Sequence, residues 1–152
     1  MVFIINTLIT LVTFIGMELV SWLSHKYLMH GFLWFFHEDH HQHNTNIQPF
    51  ERNDFFFLLF AAPGIIMLYL GNDGFTHLFW IGLGITIYGL AYFLIHDVFI
   101  HRRFKWLKTI DSSYFRAIRR AHKMHHKHFY KEEGECFGML WVPLKYYKES
   151  KL

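Results

Sequence analysis

The sequence predicts an all-α integral membrane protein with three transmembrane helices and a histidine-rich helical cap on the cytoplasmic side. Three observations carry that expectation. The 152-residue chain is 53% hydrophobic and 20% aromatic but 18% charged, which is too apolar for an ordinary soluble domain. Three apolar runs are long enough, or nearly so, to cross a bilayer. Ten of the thirteen histidines fall into four clusters of repeated spacing close to the ends of those runs.

The first run, Val2 to Leu23, has 22 residues and at ~1.5 Å rise covers roughly 33 Å. It has no basic leader and no small-residue cleavage site, so it reads as a span and not as a signal peptide. Glu18 lies inside it, seven positions before His25 and on nearly the same face, where it either orients that imidazole or reaches for the interface. The second run, Phe55 to Leu70, carries Pro63-Gly64 at its centre and predicts a kinked or thinly spanning helix. After the turn Gly71-Asn72-Asp73-Gly74, the third run extends from Leu78 to Ile95, with Gly82, Thr86 and Gly89 as small residues for close helix contact. A fourth span, if the chain has one, must be sought in Phe104 to Ile118. The whole chain, 1–152, is expected to form one membrane-embedded domain.

All fifteen lysines and arginines lie within Lys26 to Arg52 or Arg102 to Lys151, and the Gly71 to His77 turn has none. By the positive-inside rule the histidine clusters face the cytoplasm of an inner membrane and the amino terminus lies outside. That asymmetry explains a net charge of +3 without a nucleic-acid partner. A single cysteine, Cys136, excludes an internal disulfide and an iron–sulfur cluster of the chain's own. Gly82-Leu83-Gly84 is inside a span and is no nucleotide loop.

Two clusters have the form HxxHH: His37-Glu38-Asp39-His40-His41, and His122 with His125-His126. On a helix at ~100° per residue, the second and third histidines lie within about 60° of the first, so all three are expected to converge on one volume. The latter cluster sits on a helix predicted over about 112–127, capped by Asp111 or Ser112. Its histidines continue the buried stripe of Tyr114, Ile118 and Ala121, while Arg116, Arg119, Arg120, Lys123 and Lys127 take the side facing anionic headgroups. The other two clusters, His25 to His30 and His96 to His101, have the form HxxxxH. On a straight α-helix such a pair points its rings about 140° apart, which suits a fraying helix end, or two arms reaching different metals. Gly31 is expected to close the first helix after His30. Lys131 to Leu152 reads only as a surface-docked lid.

Ten imidazoles brought to one side of a membrane would repel one another if protonated and would need many partners if buried neutral. Metal ions meet both demands. Ten nitrogens exceed one four-ligand site and suit two ions at about five each, a pair fit for two-electron chemistry. Imidazole suits iron, zinc, copper and nickel alike, but a site open to a membrane-dissolved hydrocarbon favours oxygen activation by iron, with zinc able to substitute during expression. The electrons must then come from an external donor. A membrane metal transporter also wants clustered histidines, but such proteins place ligands near the bilayer midplane and these lie at span ends.

Gly16-Met17-Glu18, His25-Lys26-Tyr27-Leu28-Met29-His30-Gly31, His37 with His40-His41, Asn53-Asp54, His96-Asp97 with His101, and Ala121-His122-Lys123-Met124-His125-His126 together resemble the bacterial carotenoid ring hydroxylases, within the fatty acid hydroxylase and sterol desaturase superfamily. The likeness covers nearly the whole chain. It implies a non-haem di-iron monooxygenase that uses O₂ and a ferredoxin-type donor to hydroxylate carbon 3 of a β-ionone ring. The implied path runs from β-carotene through β-cryptoxanthin to zeaxanthin, and a fatty acyl or sterol substrate is the alternative. Carried over position by position, the implied ligands are His25, His30, His37, His40, His41, His96, His101, His122, His125 and His126; His43, His77 and His128 fall outside the motifs. Asp54 and Asp97, with Glu18, are the expected carboxylates behind the imidazoles. Phe32, Trp34, Phe93 and Trp141 are candidates to line a carotenoid site.

Overall fold

A computed structural model describes residues 1–42, 50–104, 106, 110–128, 130–132 and 134–148. Among them the regular secondary structure is all helical, with no strand. Helix α1 spans Val2–Leu23, α2 Trp34–His41, α3 Asp54–Gly71, α4 His77–Phe93, α5 Ser113–His125 and α6 Lys145–Lys148. Two further segments, Ser24–Phe32 after α1 and Leu94–Ile100 after α4, continue their helices as π-helix. Three continuous helices are long and apolar enough to cross a membrane: Val2–Phe32, Asp54–Gly71 and His77–Ile100. Within the Phe104 to Ile118 stretch, residues 105 and 107–109 lie outside the described residues, and α5 begins only at Ser113.

Helix α4 is the middle of the three, packed on α1 at one side and on α3 at the other. Two of its three glycines make that possible. A Cβ at Gly82 would come within 2.8 Å of the Gly64 carbonyl and 2.7 Å of Leu68 N on α3; one at Gly84 would meet the Thr10 carbonyl on α1 at 2.7 Å. Without a hydrophobic force between apolar helices in lipid, such close backbone approach, with a few polar bonds, supplies the adhesion. One such bond is Thr10 Oγ1 donating to the Trp80 carbonyl at 3.1 Å. Gly89, expected to serve helix contact, does not: the space about its missing Cβ is open to 4 Å and forms part of a cavity. Helix α3 continues through Pro63 as a single helix, its Gly64 buried against Ile85 and Thr86.

The cap is organised by α5. Ser112 is its N-cap, accepting from Phe115 N at 3.3 Å, while Asp111 pairs with Arg116 at 2.7 Å. Ala117, Ile118 and Ala121 pack against Val142 and Tyr146 of the C-terminal segment. The arginines of α5 turn to protein as well as to the outside. Arg119 lies over the Phe99 ring, 4.1 Å from its centroid, and donates to the Phe99 carbonyl, and Arg120 donates to the Tyr146 carbonyl. Lys123 and Lys127 are exposed.

Candidate metal centre

The π-helical segments account for the HxxxxH spacing. In a π-helix the hydrogen bonds run from i to i+5, so residue i+5 stands one turn above residue i. His101 N donates to the His96 carbonyl at 2.9 Å and Leu33 N to the Leu28 carbonyl at 3.0 Å. The paired rings therefore come together on one face instead of diverging: centroids are 5.2 Å apart for His25 and His30, and 4.5 Å for His96 and His101. This corrects the fraying or two-armed geometry expected from a straight α-helix. The helix then breaks at Gly31 (φ −111°, ψ −125°), and α2 follows at a new angle.

The HxxHH clusters also differ from expectation. Their three histidines do not converge on one volume; each cluster divides between two adjoining groups. His25, His30, His37, His41 and His125 form the first group, and His40, His101, His122 and His126 the second. From α2 the i and i+4 members, His37 and His41, enter the first group and the i+3 member, His40, the second. From α5 the roles are exchanged: His122 and His126 enter the second and His125 the first. His96 borders the second group, its Nε2 3.1 Å from His40 Nε2. The groups touch, with the His41 and His126 rings stacked at 4.6 Å. Among the remaining histidines, His77 is exposed at the head of α4, His128 contributes only its backbone carbonyl, and His43 lies outside the described residues.

In the first group every imidazole is oriented from behind by a neutral oxygen. Nδ1 of His25, His30, His41 and His125 donates to the carbonyls of Phe137 (2.9 Å), Lys131 (3.1 Å), His128 (2.9 Å) and Glu135 (2.8 Å), and His37 Nδ1 to Asn53 Oδ1 (2.7 Å). Carbonyls only accept, so the proton is fixed on Nδ1 and each Nε2 turns a lone pair inward. Burial, reinforced by the neighbouring imidazoles, pushes His41 down to about 4 and His125 to about 2, so both are neutral. Trp34 and Phe137 close the group with their rings, Trp34 5.2 Å from His30 and Phe137 5.1 Å from it.

At the second group the backing is carboxylate, for His40 within it and for His96 beside it. His40 Nδ1 donates to Glu51 Oε2 at 2.8 Å and His96 Nδ1 to Asp97 Oδ2 at 3.3 Å. Asp97 is held by Arg103 at 2.8 Å, which also grips Asp54 at 2.7 and 2.9 Å, and Asp54 in turn accepts from Glu51 N at 3.1 Å. Asp97 thus touches an imidazole directly, whereas Asp54 acts through Arg103. Burial depresses His40, His101, His122 and His126 alike.

This donor set fits metal ions. His30 Nε2 and His125 Nε2 lie 3.2 Å apart, each a lone pair because each Nδ1–H is committed to a carbonyl. Two lone pairs at that distance repel, and a proton on either would put an imidazolium among buried rings. A shared cation removes the conflict: two nitrogens ~2.1 Å from one ion and at about a right angle stand ~3 Å apart. The same separation recurs between His25 and His37 (3.0 Å), His37 and His41 (3.2 Å), and His101 and His122 (2.8 Å). Among the described residues, His126 Nε2 is buried without a hydrogen-bond partner.

Glu18 does not reach His25. Its Oε1 accepts from the backbone N–H of Met139 (2.9 Å), Leu140 (2.8 Å) and Trp141 (3.0 Å), and its Oε2 from Tyr88 Oη (2.8 Å). Glu51 and Arg103 join the site without any histidine motif to announce them; Glu51 lies in a polar run at the head of α3 beside Asn53-Asp54, and Arg103 follows His101 by two residues. Beside the second group lies an apolar cavity of about 400 Å³ between α1, α3 and α4. Met17, Phe56, Phe60, Ile85 and Phe93 are among its walls, and His96 and Asp97 stand at its edge. Phe93 is thus a wall, while Phe32 and Trp141 are 78% and 82% exposed and Trp34 packs on the first histidine group.

Comparison with known proteins identifies the family. The fatty acid hydroxylase family profile matches residues 10–144. A protein named beta-carotene hydroxylase from Pantoea ananas is 43% identical over 143 residues, 94% of this chain and 81% of that one. Another of the same name from Pseudescherichia vulneris is 37% identical over 141 residues, 91% of this chain and 78% of that one. The chloroplastic beta-carotene 3-hydroxylase of Gentiana lutea is 38% identical over 136 residues, 85% of this chain and 40% of that longer one. No solved structure matches the chain. By its sequence, this chain belongs to the fatty acid hydroxylase family.

Proposed function

We propose that the protein is a non-haem di-iron monooxygenase that hydroxylates carbon 3 of the β-ionone rings of carotenoids, taking β-carotene through β-cryptoxanthin to zeaxanthin. The observation that carries the metal half is the buried 3.2 Å contact between the His30 and His125 lone pairs. One ion would be held by His25, His30, His37, His41 and His125, the other by His40, His101, His122 and His126 with His96 beside them. When bound, such a pair supplies O₂ chemistry: with two electrons and two protons, one oxygen enters a C–H bond as hydroxyl and the other leaves as water. Zinc, which binds the same imidazoles, has no redox chemistry to offer and would give an inactive protein.

The chain's own contribution is orientation, dryness and position. Carbonyl, amide and carboxylate acceptors hold the Nδ1 protons of the five first-group imidazoles and of His40 and His96, and leave their Nε2 atoms free to ligate. The Trp34 and Phe137 rings keep water from the first group, and the cavity between α1, α3 and α4 gives an apolar ring a place beside His96. Arg103 bridges Asp54 and Asp97 and offsets part of their charge, which lowers the cost of holding Asp97 next to that apolar space. The names of the relatives support a carotenoid as substrate. The distribution of lysine and arginine supports a centre facing the cytoplasm of an inner membrane, where a ferredoxin-type donor would dock.

Pigment chromatography on a β-carotene-accumulating bacterial host expressing the chain, beside its His125→Ala variant, tests the reading. Mono- and dihydroxylated carotenoid from the parent alone is the expected result. Unchanged β-carotene from iron-loaded, membrane-inserted parent supplied with donor would refute the carotenoid substrate and favour a fatty acyl or sterol one.

A further inference from the structure

The two histidine groups are supported in different ways. Four of the five imidazoles in the first group are aligned by carbonyls from one irregular stretch, His128 to Phe137, which crosses over the ends of α1, α2 and α5. Backbone carbonyls align a ring only if their own stretch of chain is fixed, and this one contains no helix or strand among its described residues. Lys145 pairs with Glu135 at 2.7 Å and Tyr114 Oη donates to the Leu140 carbonyl at 2.9 Å, and the stretch has one further fixed point, on α1. Directly after Phe137, three successive N–H groups, of Met139, Leu140 and Trp141, close on a single oxygen of Glu18. Gly138 fits beneath them: a Cβ there would lie 3.0 Å from that oxygen. Three N–H donors on one carboxylate oxygen make strong, charge-assisted bonds, and Tyr88 on α4 holds the other oxygen. A carboxylate within a spanning helix is costly unless it is satisfied in this manner. None of these contacts reaches the second group, which is braced by Glu51, Asp97 and Arg103 instead.

We infer that Glu18 is a positioning residue for one metal ion of the two: by anchoring Met139–Trp141 it holds the Phe137 to His128 carbonyls against the first group's imidazoles, and the second site does not depend on it. The inference rests on the two-metal reading above. It separates the residues of one centre into two separately supported halves, with the first group tied to helix α1.

The test is metal retention by the purified, iron-loaded full chain under challenge by a competing chelator, with metal counted per protein. Glu18→Ala should release one of two ions at least tenfold more readily than the parent and keep the second at the parental rate. Glu18→Gln, whose amide oxygen still accepts from the three N–H groups, should stay within about threefold of the parent. Tyr88→Phe, which removes a contact to Glu18 without touching Met139 to Trp141, should do the same. In parallel, amide hydrogen exchange in Glu18→Ala should quicken at Met139 to Trp141 and back to Glu135, and not at Glu51 to Asp54. Retention of both ions by Glu18→Ala, or loss of both together, would overturn the inference. A parent that holds no pair of ions would overturn the two-metal reading itself, and this inference with it.

Discussion

Glu51 offers the sharpest test of how the second site is built. Its Oε2 accepts from His40 Nδ1 at 2.8 Å, with the imidazole side chain 3% exposed and the carboxylate 29% exposed. A hydrogen bond to a charged group in such a setting contributes about 1.5–3 kcal/mol. At ~1.4 kcal/mol per tenfold, that predicts a loss of roughly 10- to 100-fold in affinity for the ion held by His40 when Glu51 is truncated to alanine. Glu51→Gln keeps an acceptor oxygen but not the charge, and belongs at the lower end, about tenfold. The ion held by the first group should be unaffected, because its imidazoles are braced by carbonyls and Asn53. Chelator competition followed to completion resolves the two ions as two phases. Asp111→Ala is the control: its pair with Arg116 is 2.7 Å long, but the side chains are 69% and 44% exposed, and an exposed pair contributes about 0–1 kcal/mol to stability and nothing to the site. Affinity within threefold of the parent in Glu51→Ala, in both phases, would refute the claim that this carboxylate braces the ligand.

Two further outcomes follow from the packing of α4. Gly82→Ala places a methyl within 2.8 Å of backbone on α3 and should lower stability in detergent by about 1–3 kcal/mol, whereas Gly89→Ala, with open space about it, should be close to neutral; thermal unfolding compares the two. Gly89→Leu projects into the cavity beside His96 and should cut hydroxylation of β-carotene severalfold while metal content, measured by elemental analysis, stays at two ions; parental turnover would mean that this cavity does not hold the substrate.

The sequence by itself determined the membrane-spanning helices, because ~20 consecutive apolar residues have one low-energy solution in a bilayer. It also marked the histidines as a set, because so many imidazoles in so apolar a chain would be charged and repelling, or neutral and unsatisfied, without metal ions to bind. Their division was not legible. Helical periodicity at ~100° per residue places His37, His40 and His41 on one face, and only the arrangement of α2 against α5 decides that His40 and His125 cross to opposite groups. The HxxxxH pairs misled for a related reason: the α-helical period was the wrong period, and a π-helical turn is set by the tertiary contacts around it, not by local propensity. The partners behind the imidazoles were least visible of all. Backbone carbonyls have no sequence signature, and Lys131, Glu135 and Phe137 act through theirs; Glu18 kept its place beside His25 on the helix yet bonds to residues 121 to 123 positions away. Local pattern fixes which residues share a face of a helix, and tertiary packing alone decides what that face meets.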